Sequence, residues 1–506
     1  MAEIDVGSAL RGRLTALDST FLYTENADAP MHIGGLMVLE GALPFDKFTE
    51  FVRQRLAALP QLYVQRLAEV PFDFGYPMLE DDPDFRLENH LKRYQIPAGM
   101  NKTDATRYVM SIYQAQLDRK HPLWELLSFE GWGGRDTCLV SKIHHSLVDG
   151  VSSIELLKVL MDDRPDAPPP PPAPGRWKPT AMRRPLEKLI DAARDRMIQR
   201  IDAMSAAFSN MVRNPAAITD GARQMFDGLS ETVTAASRPL VATPWNGGLV
   251  GGRRDLAWVN NSFRDYRAIR QAFGGTVNDI VVTVLTEAAA RYLNHHGYST
   301  DGFLRLGCPV SVRRSDEQTD LGNRVSMMFP TIPAAPMDVV ERHKVVREEI
   351  DRIKAAGLAQ ALADSTELAD LTPAGLMAAA GRLATIATGT VGALARMTGW
   401  RPRPNGFLMP PPGIHFVATN VPGVQVPLYL AGHRLIEEVG MLPLGANLGY
   451  GVAIVSYNGE LVYGLVADPE LVPDLALMKA YVEEAVEELK SEAAKHVVGE
   501  EHKAAA

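Results

Sequence analysis

The apolar residues of this chain fall into short runs and helical stripes that alternate over most of its length. Thr137-Cys138-Leu139-Val140-Ser141-Lys142-Ile143 is a short apolar run bounded upstream by Gly131-Trp132-Gly133-Gly134, a pattern that predicts a buried strand. From Val151 to Met161 apolar positions recur every three to four residues, which predicts a helix with Ser152 or Ser153 as its cap. Upstream, residues 31–40 read as a strand and Phe45 to Leu59 as an amphipathic helix stopped by Pro60. Met100 to Leu117 predicts another helix with Thr103 as the candidate cap, and Pro122-Leu123-Trp124-Glu125 opens a strand with its tryptophan in the core.

Beyond Met161 the composition changes abruptly. Asp166-Ala167, the prolines 168–172 and Pro174-Gly175 suit neither helix nor sheet and predict an extended, semi-rigid linker. The helical pattern over 183–213 has a stripe through Leu186, Leu189, Ile190, Ala193 and Met197, and basic residues including Arg183, Arg184 and Lys188. Such a helix either lies on an anionic lipid surface or packs its stripe on the protein. A second half starts near Thr243-Pro244-Trp245, with a strong helix over 277–294 whose Thr276 and Asp279 have the form of a capping box. Strands are predicted at 305–312 and 416–423, and a hairpin from 448–456 and 461–467 around Asn458-Gly459. The Ala-, Gly-, Leu- and Met-rich stretch 375–400 fits the lining of an apolar tunnel, a membrane contact or a buried helix equally well. A final helix over 475–495 precedes a loose tail.

At 506 residues the chain exceeds one ordinary core, so two or three domains are expected. The boundaries predicted are 1–163, a linker and helical connector over 164–242, and 243–506. With 46% hydrophobic and 22% charged residues it is globular, and a net charge of −9 argues against nucleic-acid binding. Cys138 and Cys308 both lie in apolar runs, which fits a reducing compartment without a disulfide framework. The N-terminus lacks a basic stretch before an apolar core, so no signal peptide is expected; no uncharged apolar run is long enough to span a membrane.

The candidate chemistry centres on His144-His145-Ser146-Leu147-Val148-Asp149-Gly150, where a strand gives way to a turn. Successive side chains of an extended segment point to opposite faces, so one imidazole faces a ligand while its neighbour packs or orients. A neutral imidazole suits removal of a proton from a hydroxyl near neutral pH. Asp149 is placed to fix the turn or pair with a distant arginine, and Gly150 leaves room for a close approach. Opposed side chains and the lack of a second His/Cys/carboxylate cluster argue against a metal site, and no G-x-S-x-G elbow supports a serine hydrolase. Asn278, at a helix start, is a candidate to steady a developing oxyanion, while Asp279 reads as a cap. Arg313 and Arg324 are either ligands for the phosphates of a substrate or solvated surface residues. His32 and His121 read as structural.

The heptad from His144 to Gly150 resembles the HHxxxDG motif of the CoA-dependent acyltransferase superfamily. In particular the chain resembles the bacterial wax ester synthase/diacylglycerol acyltransferase family. Leu14-Thr15-Ala16-Leu17-Asp18, Pro30-Met31-His32-Ile33-Gly34, Pro122-Leu123-Trp124, Asn278-Asp279, Pro309-Val310-Ser311-Val312-Arg313, Gly322-Asn323 and Thr419-Asn420-Val421-Pro422-Gly423 carry the match. The resemblance implies an α/β (α+β) fold of two chloramphenicol-acetyltransferase-like subdomains, each a mixed sheet with flanking helices, with the site in a channel between them. It implies His145 as general base, with His144, Asp149 and Gly150 shaping the loop and Asn278 assisting; Arg313, Asn323, Arg324, Thr419 and Asn420 fall on the substrate side. The substrates implied are acyl-CoA with diacylglycerol or a long-chain alcohol, without a metal or redox cofactor. The expected location is the cytoplasm, with peripheral association with the inner membrane or lipid inclusions left open as an option. A condensation-type acyltransferase with another acceptor, and a non-catalytic lipid-surface protein, are the alternatives.

Overall fold

The computed structural model describes residues 13–148, 159–168, 184–194, 238–311, 325–356, 374, 376, 378–379 and 413–504. The first half contains α1 (Ala16–Thr24), β1 (His32–Leu39), α2 (Phe45–Arg55), β2 (Gln65–Ala68), β3 (Met78–Asp81), β4 (Leu91–Gln95), α3 (Lys102–Tyr113), β5 (Trp124–Trp132) and β6 (Asp136–His144). After the helical residues 185–194 (α4), the second half begins with β7 (Asp255–Ser262), α5 (Phe263–Phe273) and α6 (Val277–His295). It continues with β8 (Phe303–Ser311), β9 (Val325–Met328), β10 (Thr331–Pro333), α7 (Val339–Ala355) and β11 (Phe416–Pro422). The last elements are β12 (Tyr429–Leu430), β13 (His433–Met441), β14 (Tyr450–Tyr457), β15 (Glu460–Ala467) and α8 (Leu475–Ala504).

Two mixed sheets with flanking helices organise these elements, as the α/β reading expects. One is six-stranded, in the order β12-β13-β1-β6-β5-β4; the other is seven-stranded, running β10-β8-β11-β14-β15-β7 with β9 on β8. β4 runs parallel to β5, and β11 parallel to both β8 and β14, while the other ladders are antiparallel. One face of the second sheet, through Val452, Ile454 and Tyr463, packs under α6, α7 and α8. The other face, through Ala453, Val462 and Trp258, joins Leu36, Val38, Val140 and Phe129 of the first sheet in a common core.

Local signals account for several of these elements. α6 is an interior helix, buried from Asp279 to Leu293 apart from Arg291, mostly apolar, with its buried Glu287 paired to Arg342 and Arg291. Its Thr276 and Asp279 form a reciprocal capping box, with Thr276 N–H donating to Asp279 Oδ2 at 2.7 Å. The β14–β15 hairpin turns at Asn458 and Gly459, whose φ values of 46° and 84° explain the dipeptide. α3 is capped by Asn101 rather than Thr103: Asn101 Oδ1 accepts from Asp104 N–H at 2.9 Å, which leaves Thr103 inside the first turn.

β12 and β13, far along the chain, complete the sheet of the first half: β13 pairs with β1 from Gly34↔Met441 to Leu39↔Leu435. β13 also crosses the second sheet closely, since a Cβ at Gly464 would stand 2.1 Å from Gly440 O. The inter-half seam is tied by Arg254, a buried guanidinium that donates to Asp28 O at 2.9 Å and Leu444 O at 3.2 Å. Most of the expected 151–161 helix, the 169–175 part of the linker, and most of 183–213 and 375–400 lie outside the described residues.

Candidate active site

β6 carries the histidine turn. It is a central strand, paired on one side with β1 and on the other with β5, and its register places His144 opposite His32. His144 N–H donates to Leu123 O at 3.0 Å, and Leu147 N–H closes the turn on His144 O at 3.0 Å. The next amide, His145 N–H, donates to Met31 O at 2.8 Å, so the start of β1 holds the backbone of the turn.

The two imidazoles occupy different environments, as strand alternation predicts. His144 is fully buried. Its Nδ1 accepts from Ser146 N–H at 3.1 Å and contacts Ser146 Oγ at 2.8 Å. A backbone N–H can only donate, so Nδ1 is the bare nitrogen and the proton sits on Nε2. Nε2 faces Glu25, whose Oε1 lies 3.6 Å away. His145 is half-buried and lies flat on the Phe21 ring, with centroids 4.1 Å apart and planes 8° from parallel.

Glu25 is the anion behind this arrangement. It accepts from Met31 N–H at 3.0 Å and from the Arg119 guanidinium at 2.9 Å. Burial alone would raise its pKa, but His144, Met31 N–H and Arg119 together hold it at about 2. On the same sheet face His32 is buried and meets Tyr113 edge-on, with centroids 4.6 Å apart. Burial and the Lys142 charge push its pKa well below the usual imidazole value, so it is neutral. Lys142, itself buried, donates to Ala115 O and stands 3.4 Å from Glu125 Oε2.

The other residues singled out in the sequence are dispersed. Asn278 is half-buried at the second position of α6, where Thr276 and Asp279 make the cap hydrogen bonds. Thr419 and Asn420 sit in β11 opposite Ala453 and Ile454 of β14. Alternation puts Thr419 on the face of Val417 and Val421, which pack toward the first half, and Asn420 on the helix-covered face. Asp149, Gly150, Arg313, Asn323 and Arg324 lie outside the described residues. Phe21, Glu25 and Arg119 were not singled out. Only the nearness of Glu25 to the Pro30-Met31-His32 segment points to it in the sequence.

The profile of the wax ester synthase/diacylglycerol acyltransferase catalytic domain matches residues 14–281, over half the chain. The chain belongs to that family. The profile of the family's C-terminal domain matches residues 321–490. A probable diacylglycerol O-acyltransferase of Mycobacterium tuberculosis (strain H37Rv) is 29% identical over 491 residues, 94% of this chain and 95% of that one. Among solved structures, the wax ester synthase/diacylglycerol acyltransferase from Marinobacter aquaeolei VT8 matches with a TM-score of 0.61 at 22% identity, covering 95% of this chain and all of that one. The starter condensation domain of rhizomide synthetase, in complex with C8-CoA and Leu-SNAC, matches at 0.55 and 13% identity over 98% of this chain and 97% of its own. The family member described here is therefore an acyltransferase with the two-sheet fold that these proteins share.

Proposed function

We propose that this enzyme moves a long-chain acyl group from acyl-CoA to a lipid hydroxyl, converting diacylglycerol to triacylglycerol, a fatty alcohol to a wax ester, or both. The observation that carries this reading is the single half-buried imidazole of His145, presented at the end of a buried strand beside a second, fully buried histidine. His145 takes the hydroxyl proton as the acceptor oxygen attacks the thioester carbonyl. The carbon–sulfur bond breaks, and the proton passes to the departing thiolate; no acyl-enzyme forms. A buried His144 and the turn it fixes keep that imidazole in place. The C8-CoA held by the condensation-domain neighbour supports an acyl-CoA donor. Thr419 fits the donor side, since its face of β11 looks toward the first half.

Work at a lipid surface is part of this reading. Phe72 is 93% exposed with its backbone in the left-handed region, an unusual place for an aromatic side chain. Leu186 and Ile190, one turn apart on α4, are 67% and 58% exposed. α4 packs beside Val70 through Leu189 and Ala192, so these exposed side chains belong to one region of the surface. Among the described residues no helix is long and apolar enough to cross a membrane, so the contact proposed is peripheral.

The test is release of CoA from a long-chain acyl-CoA by purified enzyme, with a fatty alcohol, a diacylglycerol or an amine as acceptor and His145→Ala run in parallel. Acceptor-dependent turnover with a lipid hydroxyl that drops at least about a thousandfold in the variant supports the reading. Full activity of a folded His145→Ala refutes the base, and turnover with the amine alone refutes the lipid acceptor.

A further inference from the structure

We propose that α1 is a clamp for the histidine turn, in which Phe21 sets the ring of His145 and Glu25 sets His144, making both of them positioning residues for acyl transfer. This rests on His145 being the base. Phe21 and Glu25 are four residues apart, so they share one side of the helix and its end. Phe21 lies parallel to the His145 ring and limits its tilt. Glu25, the C-cap of α1, stands 3.6 Å from His144 Nε2.

A second path runs through the backbone. Met31 donates its N–H to Glu25 Oε1 at 3.0 Å and accepts the His145 N–H on its carbonyl at 2.8 Å. A shift of the Glu25 carboxylate is thereby passed to the amide that holds His145.

α1 is itself anchored at both ends, as a clamp requires. At its start Thr15 and Asp18 form a reciprocal capping box, and Leu14 N–H donates to Pro77 O at 3.0 Å. At its end Arg119 donates to Leu22 O at 2.7 Å and to Glu25 Oε2 at 2.9 Å, joining the last turn of the helix to the approach to β5. Glu25 therefore ties the end of α1 and the nearby start of β1 to two segments distant in sequence, the approach to β5 at Arg119 and the histidine turn.

The experiment compares Glu25→Gln, Phe21→Leu, Phe21→Tyr and His145→Ala, each with a thermal melt, full kinetics in acyl-CoA and acceptor, and a pH–rate profile. Glu25→Gln keeps the volume and an acceptor for Met31 N–H but removes the charge. The clamp predicts a fall in kcat of about tenfold or more in Glu25→Gln and Phe21→Leu, with KM for acyl-CoA within about twofold. It also predicts a pH–rate profile in Glu25→Gln that differs from that of the parent, since the charge removed stands 3.6 Å from the His144 ring. Phe21→Tyr, which keeps the flat ring, recovers most of what Phe21→Leu loses. Parental kcat and profile in Glu25→Gln and Phe21→Leu, beside an inactive His145→Ala, overturn the clamp alone. An active His145→Ala overturns the base and the clamp with it. If Glu25→Gln does not fold, the two Phe21 variants decide: equal activity in the leucine and tyrosine forms overturns the proposal.

Discussion

Glu438 offers a sharp test of the seam between the two halves. It lies on β13 opposite Met37, in a row that continues through Leu139 of β6 and Ser128 of β5. Its side chain is buried, and among the described residues no hydrogen bond or ion pair reaches its carboxyl. Burial alone raises its pKa from 4.5 to about 7. At about 1.4 kcal/mol per unit, that shift corresponds to about 3 kcal/mol of folding free energy. The folded-state pKa lies above the unfolded one, so this contribution is fully present below about pH 4.5, where both states hold the proton. It is lost as pH rises through about 7. Glu438→Gln keeps the shape and removes the titration. Thermal melts of parent and variant at about pH 5 and about pH 8 should show the variant gaining a few degrees on the parent at the higher pH, and much less at the lower one. A difference that is the same at both pH values would show that Glu438 ionises without penalty and is solvated. A parent that gains on the variant with rising pH would mean that a cation pairs with the carboxylate.

Two further expectations follow from packing. Gly34→Ala places a Cβ 2.2 Å from the Ser141 backbone oxygen and 2.8 Å from the Tyr113 ring; since neither strand of the central ladder can yield, a loss of about 3 kcal/mol or more is expected, read as a large drop in melting temperature. Phe72→Ser combined with Ile190→Ser should release the enzyme from sedimenting neutral-lipid emulsions or phospholipid vesicles while activity on a short soluble acyl-CoA and a water-soluble alcohol is kept; unchanged sedimentation would remove the lipid role of that surface.

What the sequence made legible was local. The β6 strand, the Thr276–Asp279 box and the Asn458-Gly459 turn each need only a few consecutive residues, and each is found where it was expected. β13 was not legible, because His433-Arg434-Leu435-Ile436-Glu437-Glu438-Val439 mixes charge with apolar residues and fits neither a buried run nor a clean alternation. Two of its charges are explained only by distant partners: Arg434 pairs with Glu40 at 3.1 Å, and Glu437 pairs with Lys102 at 3.2 Å and accepts from Trp258 Nε1 at 2.5 Å. The histidine pair was visible as a motif, and alternation correctly anticipated that the two rings part company. Glu25 was invisible for the reason β13 was. Its partners Met31, Arg119 and His144 are assembled by three segments that meet only in the folded chain.

The shared strand also limits how this enzyme can move. β1 is flanked by the histidine strand β6 on one side and by β13 on the other, and Gly34 is in register with both Lys142 and Met441. β13 in turn lies against the second sheet at Gly440 and Gly464, where no side chain separates the backbones. Swinging one half away from the other on this side would break the β1–β13 ladder or open the Gly440–Gly464 contact. A ladder of several hydrogen bonds, each worth about 1 kcal/mol net, together with its buried side chains resists that motion at every turnover. Hinge opening of the halves on this side would therefore cost the ladder or the backbone contact, whereas side-chain and loop motion would cost neither. The β1–β13 ladder and the His145–Met31 hydrogen bond then fix the His145 backbone relative to the second sheet, which is the preorganisation that the base proposed for His145 would require.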